Sequence, residues 1–319
     1  MFLGLDIGGA NLKYAIIDEE ARGGIVYFPL WKEENLRKLP EKLRLRGVKA
    51  VCAVTTAELC DTFRSREEGV KFIERAVKSV FPKAYFVSVN GAVRDRAEPP
   101  LEFAASNWVA SVKHLLKEED SFIFADMGTT TTDIIPVKNG EIRAARSDFE
   151  RLKRGELVYA GVLRTPVFHV LRRFKAPLVP EFYSIVGDAL IVTGDLSERE
   201  YICETPDGRG VSRTECMQRL SRQLCSDLKE LGEGFVSEMA FEVRKELIRM
   251  IAGALEWQAS KWQLDSVIGC GKGEFLLRET AEELGLNFRG LSEEVGELSE
   301  LFPAYACAVL AKEAFESGL

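Results

Sequence analysis

Two stretches of the sequence decide the fold: LDIGGAN at Leu5–Asn11 and ADMGTTT at Ala125–Thr131. Each stretch closes an apolar run with Asp-x-Gly and leads into a second apolar run, so each predicts two strands joined by a tight glycine turn. The copies lie much farther apart than neighbouring units of a solenoid repeat. The pattern therefore predicts a duplicated α/β lobe.

The aspartate and the glycines of each copy suit a phosphate site. Glycine lets the backbone approach a ligand closely and turn its N–H groups toward an anion. A carboxylate beside such a turn can position a hydrated divalent cation that bridges phosphate oxygens. We therefore predict that Asp6 and Asp126 hold a metal ion and face each other across a cleft between two lobes.

Composition excludes several classes of protein. The chain has 319 residues, 46% of them hydrophobic and 29% charged, which is enough for one large core or two modest ones. It contains no apolar run of about 18 residues and no export signal, so we expect a cytoplasmic protein with no membrane partner. Seven cysteines without a Cys-x-x-Cys pair predict free thiols. The net charge of −7 argues against a nucleic-acid partner, and a homo-oligomer is compatible with the sequence.

Turn signals and apolar spacing divide the chain into an N-terminal lobe at 1–118 and a C-terminal lobe at 119–319. In the first lobe, Ser65-x-x-Glu68 is a capping box that opens a helix, and Asn107 caps another helix. The second lobe restarts with the same strand-turn-strand pattern. This division predicts two units with similar topology.

The second lobe has three further features. Residues 147–210 are rich in Arg, Pro, Gly and Asp, which predicts an insertion that carries substrate contacts. Ser212-x-x-Glu215 opens a helix that we expect to continue through Leu231, because leucines recur on one of its faces. An apolar helix at 304–315 ends the lobe.

A third glycine loop follows a strand late in the chain. The run Ser266–Cys270 predicts a buried strand, and Gly269-x-Gly271-x-Gly273 leads from it into a helix. Such a loop can contact a nucleotide or an organic substrate, and it can equally let a helix pack closely on a strand. Both interpretations stay open.

The order of two Asp-x-Gly hairpins and a late glycine loop resembles the actin, sugar-kinase and Hsp70 superfamily. The resemblance implies an α/β, two-lobe actin-like ATPase fold made of duplicated ribonuclease-H-like units. It also implies that Asp6 and Asp126 hold the metal, and that the late loop, with Glu274, lines a nucleotide or substrate site. The residues that it implies at the phosphates are Gly8, Gly9, Asn11, Gly128, Thr129, Thr130 and Thr131.

A narrower resemblance covers nearly the whole chain. Residues Asp126–Ile134 are similar to the phosphate loop of the hydantoinase/oxoprolinase-like branch. A small group of that branch, linked to tetrahydromethanopterin and methanofuran one-carbon metabolism, resembles this chain at Thr56–Asp61, Ala105–Trp108, Gly155–Tyr159, Arg164–Val167 and Thr205–Gly210. Its archaeal members include a synthase that joins an aminomethylfuran-methyl diphosphate to gamma-glutamyltyramine and releases diphosphate. The resemblance therefore implies a transferase of the methanofuran pathway.

This implied reaction gives the phosphate residues a defined task. A departing diphosphate gains negative charge, so backbone N–H groups, Lys13 and an Mg²⁺ ion held by Asp6 and Asp126 would stabilise that state. ATP can occupy such a site, but the reaction does not require it. The expected partners are small-molecule substrates.

The remaining tasks fall to carboxylates, guanidinium groups and aromatic side chains. The phenol has an ordinary pKa of about 10, so a carboxylate has to accept its proton. The aminomethyl group requires an acid, and the glutamyl carboxylate requires a guanidinium. The candidates are Asp133, Glu58 and Asp61 for the proton, Asp188 or Asp207 for the aminomethyl group, Arg164 or Arg209 for the glutamyl end, and Asn107 with Trp108 beside a developing cation.

Two other functions stay open at this point. An ATP-dependent small-molecule kinase, or an oxoprolinase-like amide hydrolase, would use the same loops for ATP. A nucleotide-sensing regulator would bind ATP without turnover. Turnover of a diphosphate substrate in the absence of nucleotide separates the transferase from these alternatives.

Overall fold

The computed structural model describes all 319 residues, which form two mixed sheets with helices packed on them and one small two-stranded sheet, β11-β12. The strands are β1 (Phe2–Ile7), β2 (Asn11–Ile17), β3 (Ala21–Tyr27), β4 (Ala50–Thr55), β5 (Ala84–Val87), β6 (Val93–Arg94), β7 (Phe122–Met127), β8 (Thr132–Lys138), β9 (Glu141–Ile142), β10 (Leu157–Val158), β11 (Arg173–Phe174), β12 (Ala176–Pro177), β13 (Ser266–Cys270) and β14 (Asn287–Gly290). The α-helices are α1 (Glu33–Lys42), α2 (Arg66–Val80), α3 (Asn107–Leu115), α4 (Asp148–Arg154), α5 (Val167–Val170), α6 (Val186–Thr193), α7 (Arg213–Arg222), α8 (Leu228–Leu231), α9 (Glu233–Trp262), α10 (Glu274–Glu283), α11 (Ser292–Val295) and α12 (Phe302–Glu316). None of these helices combines the length and the apolar character that a membrane-spanning segment needs.

The first sheet has the strand order β3-β2-β1-β4-β5-β6. Strands β1, β2 and β3 form an antiparallel meander, whereas β4 joins β1 in parallel and β5 joins β4 in parallel. The central strands β1 and β4 are buried at every position, because helices cover them and their sequences are almost entirely apolar.

The second sheet repeats this arrangement. Its order is β10-β8-β7-β13-β14, with β9 paired to β8. Strand β7 takes the place of β1, because β13 joins it in parallel and β14 then joins β13 in parallel. The duplicated α/β architecture predicted from the two Asp-x-Gly hairpins is therefore confirmed.

The chain divides into two compact units, each with its own hydrophobic core. The first unit comprises Met1–Ser121, Val137–Arg151 and Leu291–Leu319, and the second comprises Phe122–Pro136 and Leu152–Gly290. The predicted boundary near residue 118 is close to Ser121, where the chain first passes from the first unit into the second. The rest of the division could not be read from the order of the elements along the chain.

Helix α12 shows why the predicted division at 119–319 has to be corrected. We expected this terminal helix in the C-terminal lobe, but it packs on β1 and β4 of the first sheet. A Cβ atom on Gly4 would lie 1.8 Å from the carbonyl oxygen of Ala304, so the helix axis can lie this close only because Gly4 and the alanines of α12 are small.

Local signals located most helix starts correctly. Ser65 and Ser212 each accept a hydrogen bond from the backbone N–H three residues later, as the capping boxes predicted. Asn107 is the first residue of α3 rather than its cap, which is Ser106. The helix expected to run through Leu231 ends at Arg222, and a new turn, α8, begins after Asp227 caps it.

Candidate functional site

The hairpin between β7 and β8 carries the phosphate residues predicted in the second unit. The N–H of Gly128 donates to the carbonyl of Thr131 at 2.9 Å, which closes the turn. Asp126 is only 5% exposed and lies near the carboxyl end of β7, in register with Cys270 of the parallel strand β13. Ligands in α/β proteins bind at such carboxyl edges. The geometry therefore agrees with a phosphate site here.

The segment Gly161–Arg164, of which we had singled out only Arg164, lies directly against this turn. The N–H groups of Leu163 and Arg164 both donate to the carbonyl of Thr129, at 3.1 and 2.8 Å. A Cβ atom on Gly161 would lie 2.5 Å from the Gly128 carbonyl oxygen and 2.6 Å from the Thr130 nitrogen. Only glycine allows this approach, so Gly161 helps to shape the turn at 128–131, which we call the phosphate turn.

Two cationic side chains belong to the loops around the turn. The Arg164 guanidinium lies 3.4 Å from the hydroxyl of Thr130, which places its charge at the phosphate turn rather than with the insertion residues. Lys272 lies in the late glycine loop, largely buried, with its ammonium 3.8 Å from a Glu200 carboxylate oxygen. Arg164 and Lys272 are the groups here that would balance the charge of an oxyanion.

The late glycine loop contacts the phosphate turn through Gly271. This residue has a φ of +90°, and a Cβ atom on it would lie 2.4 Å from Oδ1 of Asp126. The N–H of Gly273 donates to the Met127 carbonyl at 2.9 Å. Position 271 therefore has to be glycine, because any side chain there would collide with the Asp126 carboxylate and the Met127 carbonyl.

Three other residues predicted in this loop pack closely against their neighbours. A Cβ atom on Gly269 would overlap the ring of Phe288, and one on Gly273 would overlap the side chain of Met127. Glu274 is buried with its carboxylate directed toward Gly290, 3.9 Å from Arg278. Tight packing between strands, loop and α10 accounts for these residue types, and their contact with a ligand stays a prediction.

The first unit contains the matching hairpin. The N–H of Gly8 donates to the carbonyl of Asn11 at 3.0 Å, as in the later copy. Asp6 is 5% exposed and lies directly opposite Lys13 in the antiparallel pair, so the two side chains project from the same face of the sheet. In the second copy, Asp133 is the residue that corresponds in sequence to Lys13. That Asp6 and Asp126 face a common cleft stays a prediction.

The loop after β4 is fixed to the end of β1. The hydroxyl of Thr55 donates to the Ile7 carbonyl at 3.0 Å and accepts the Ala57 N–H at 3.1 Å. A Cβ atom on Gly9 would lie 3.2 Å from the sulfur of Cys60, so the loop also contacts the glycine turn. The family-like segment Thr56–Asp61 is thereby brought next to the first Asp-x-Gly hairpin.

Glu58 is the buried acid of this loop, at 1% exposure. Its Oε1 accepts a long hydrogen bond of 3.4 Å from Arg66 Nη2, and its Cα would lie 2.7 Å from a Cβ atom on Gly69 of α2. Burial raises the pKa of the Glu58 carboxyl to about 7, with Arg66 opposing the rise and Asp148 adding to it. Glu58 is therefore poised to change protonation near neutral pH.

The other first-unit candidates fall into two groups. Asp61 is exposed, and Asn107 is half-buried at the start of α3, close to Thr55 because Ala104 bridges to that residue. Trp108 is 1% exposed and packs within the first unit, with the Arg151 guanidinium 5.1 Å from its ring centre. The core buries its ring, and its predicted role beside a substrate cation stays a prediction.

The insertion residues Asp188 and Asp207 form structural ion pairs. Asp188 and Arg219 are both fully buried, with 2.8 Å between carboxylate and guanidinium, and Tyr201 donates to the same carboxylate. Asp207 pairs with Arg219 at 3.1 Å and with Arg222 at 3.0 Å. Neither acid is available to an aminomethyl group. Arg209 is exposed in the same loop, and its predicted role at the glutamyl end, like that of Arg164, stays a prediction.

The buried pair gives a prediction about stability. We expect Asp188→Asn to lower the free energy of unfolding by about 3–5 kcal/mol, because Arg219 is left as an uncompensated buried charge. The measurement is the urea midpoint, together with KM of the folded enzyme, which should not change. Pairing Asp188→Leu with Arg219→Met should recover most of the stability. A raised KM with unchanged stability would restore Asp188 as a substrate contact.

Comparisons with known proteins place the chain in a family. A hydantoinase/oxoprolinase family model matches residues 49–314. The (4-{4-[2-(gamma-L-glutamylamino)ethyl]phenoxymethyl}furan-2-yl)methanamine synthase of Methanocaldococcus jannaschii is 34% identical over 322 residues, which is 97% of this chain and 97% of the relative. The protein of the same name from Methanococcus vannielii is 32% identical over 207 residues, which is 62% of this chain and 93% of that protein.

Solved structures confirm the predicted actin-like, sugar-kinase fold. A glucokinase of the ROK family from Streptomyces griseus matches with a TM-score of 0.51 at 14% identity, covering 98% of this chain and 99% of the glucokinase. A chain of the PilM–PilN type IV pilus biogenesis complex matches with a TM-score of 0.51 at 13% identity, covering 97% of this chain and 98% of its own length. These likenesses concern the fold alone. The family model and the long match at 34% identity carry the assignment: the chain belongs to the hydantoinase/oxoprolinase family.

Proposed function

We propose that the protein is the transferase that forms the phenyl ether of (4-{4-[2-(gamma-L-glutamylamino)ethyl]phenoxymethyl}furan-2-yl)methanamine in methanofuran biosynthesis. The observation that carries the proposal is the 34% identity to a synthase of that compound over 97% of both chains. The substrates are an aminomethylfuran-methyl diphosphate and gamma-glutamyltyramine, and the second product is diphosphate. All seven cysteines are free thiols, which supports a reducing, cytoplasmic setting.

The second-unit loops support a diphosphate leaving group. The glycine turn at 128–131 offers backbone N–H groups at a carboxyl edge of the sheet, and Arg164 lies 3.4 Å from the Thr130 hydroxyl. Such donors bind a departing diphosphate more tightly than the intact ester, because its negative charge grows as the carbon–oxygen bond breaks. This difference lowers the barrier without help from ATP.

The residues present also suit Mg²⁺ as the counter-charge. No cluster of three or more His, Cys, Asp or Glu side chains that could hold a metal ion by themselves is present. Mg²⁺ is usually bound through one or two carboxylates together with substrate phosphates and water, and a single carboxylate, Asp126, at the carboxyl end of β7 beside the glycine turn suits that mode. We propose that Asp126 holds the ion, with the same role for Asp6, and that the ion neutralises diphosphate charge.

The experiment is an assay of ether formation with purified protein, both substrates and Mg²⁺, in the presence and absence of ATP. We expect ether and diphosphate in equal amounts, at a rate that does not depend on nucleotide. The strongest contrary outcome is strict dependence on ATP with consumption of ATP, because it would move the protein to the kinase or amide-hydrolase class.

A further inference from the structure

The insertion reaches the loops around the phosphate turn through Tyr201 and Cys203. A Cβ atom on Gly187 would lie 2.8 Å from Cδ2 of Leu163 and 3.0 Å from Cε2 of Tyr201, so these two side chains meet over that glycine. Burial raises the pKa of the Cys203 thiol to about 11, and the nearby Arg164 guanidinium opposes that rise. This part of the insertion therefore lies beside the residues that shape the phosphate turn, all within the second unit.

The late glycine loop holds Lys272 against the same residues. On one side, Gly271 packs closely against the Asp126 carboxylate. On the other side, a Cβ atom on Gly273 would lie 2.8 Å from Cγ1 of Val162. The backbone of Lys272 is thus fixed between the end of β7 and the segment that contacts the phosphate turn.

The ammonium of Lys272 faces a carboxylate of the insertion. The lysine side chain is 8% exposed, and its Nζ lies 3.8 Å from Oε1 of Glu200, whose side chain is 42% exposed. That separation is longer than a hydrogen bond, so the contact is a charge attraction that another anion can replace at low cost. The pair reaches the surface on its Glu200 side, so an anion can approach the ammonium from there.

Glu200 is also held in place independently of Lys272. Its Oε2 accepts hydrogen bonds from the N–H and the hydroxyl of Ser197, at 2.8 and 2.7 Å. The Ser197 N–H is the main cause that lowers the pKa of the Glu200 carboxyl; partial burial opposes it, and Lys272 lowers the pKa further. The carboxylate is therefore charged at neutral pH and would keep its position if the ammonium moved to another anion.

We propose that Lys272 binds the departing diphosphate and that Glu200 holds the ammonium between turnovers, an assignment that rests on the proposed function. Diphosphate carries more negative charge than one carboxylate, so it takes the ammonium from Glu200 and gains a second cation besides Arg164. When the product leaves, the carboxylate takes the ammonium back. The exchange keeps a largely buried charge paired at every stage, which avoids the cost of leaving it alone.

The surroundings of Lys272 favour diphosphate over the glutamyl carboxylate as its anion. The late loop packs on Asp126, where we propose the Mg²⁺ ion, and Arg164 lies 3.4 Å from the hydroxyl of Thr130 in the phosphate turn. A multiply charged anion can use two cations and a metal ion, whereas one carboxylate is matched by one guanidinium. The late loop would therefore contribute to the leaving-group site rather than to a nucleotide site.

The experiment is calorimetric titration of the whole chain with inorganic diphosphate in excess Mg²⁺. We expect Lys272→Met to raise Kd by about ten- to a hundred-fold, because one charge-assisted contact is lost while the apolar stem is kept. Glu200→Gln should lower Kd by about two- to five-fold, because a competing charge is gone and glutamine can still accept from Ser197. In the double variant the effect of Glu200→Gln should vanish, since it acts only through Lys272.

Two control variants make the same charge changes at exposed positions of the same unit. Lys229→Met removes an ammonium from α8, and Glu198→Gln removes a carboxylate two residues before Glu200. Both should keep the wild-type Kd. Thermal unfolding of every variant reports whether its fold is intact.

Three results would overturn the assignment of Lys272 and Glu200 while the proposed function stands. The first is ether formation by the wild-type protein together with an unchanged diphosphate Kd in Lys272→Met. The second is a raised KM for gamma-glutamyltyramine in that variant with unchanged diphosphate affinity. The third is a Glu200→Gln variant that binds diphosphate more weakly, or whose effect persists without Lys272, since a purely structural carboxylate behaves in this way.

The proposed function fails separately. Diphosphate binding that follows the expected pattern without any ether formation would reject the transferase alone, whereas wild-type protein that binds no diphosphate would reject both proposals. Should Lys272→Met not fold, Glu200→Gln decides alone: tighter binding of diphosphate supports the exchange, and equal or weaker binding rejects it.

Discussion

Asp126→Ala is expected to lower kcat for ether formation by about a thousand-fold or more while the protein stays folded. Asp126 is buried at the phosphate turn, and Gly271 packs closely against its carboxylate. Removing this carboxylate takes away the group that we propose to hold the counter-charge of the departing diphosphate. Alanine fills less volume and adds no buried charge, so the fold should survive. The measurement is steady-state release of diphosphate with Mg²⁺ in excess.

The matched control for this substitution is Asp265→Ala. Asp265 is exposed and precedes β13 at the opposite end of the sheet, so its removal should leave kcat unchanged. Thermal unfolding of both variants shows whether the fold is intact. Full product formation by folded Asp126→Ala would reject both the transferase and the kinase or hydrolase alternatives, because each needs this carboxylate.

Gly161→Ala is expected to lower kcat/KM by about a hundred- to a thousand-fold, the loss seen when a preorganised donor is displaced. The added methyl group would lie 2.5 Å from the Gly128 carbonyl oxygen and 2.6 Å from the Thr130 nitrogen. Backbone atoms cannot move aside locally as a flexible side chain can, so the turn at 128–131 has to shift as a whole. Its N–H groups would then be displaced from the proposed diphosphate site.

Gly234→Ala is the control for this backbone effect. Gly234 lies in the first turn of α9, and a methyl group added to it would have no other atom within 4 Å, so alanine should be neutral or slightly stabilising. Binding of inorganic diphosphate by calorimetry reports the defect directly. Equal affinity in Gly161→Ala and wild type would show that the turn does not bind the leaving group.

Local signals in the sequence were sufficient for the two hairpins. The turns at 8–11 and 128–131 form as predicted, because Asp-x-Gly between apolar runs determines a turn from neighbouring residues alone. The same holds for the capping boxes at Ser65 and Ser212, where the partner is three residues away. The duplicated fold follows from these elements.

Contacts between distant residues could not be predicted. Position 269 has to be glycine because a side chain there would overlap the ring of Phe288, and Asp188 forms an ion pair with Arg219. No local sequence pattern indicates either partner. Gly161 was missed for the same reason, since only the fold brings it against the phosphate turn. A weak signal was present, because Gly161 comes shortly before the family-like segment that begins at Arg164.

The helix predicted to run through Leu231 illustrates a different limit. Leucines recur on one face as in a continuous helix, but the backbone at Cys225 has a φ of +55°, and a new turn starts at the Asp227 cap. Gln223 donates to the carbonyls of Val179 and Glu181, which fixes the end of α7. Tertiary hydrogen bonds thus override the apolar periodicity.

The central claim is that the protein binds diphosphate with Mg²⁺ and does not depend on nucleotide. Calorimetric titration of the purified protein with Mg-diphosphate and, separately, with Mg-ATP tests it most directly. We predict saturable binding of Mg-diphosphate that ATP does not weaken. Tight binding of Mg-ATP with no heat from Mg-diphosphate would contradict the claim.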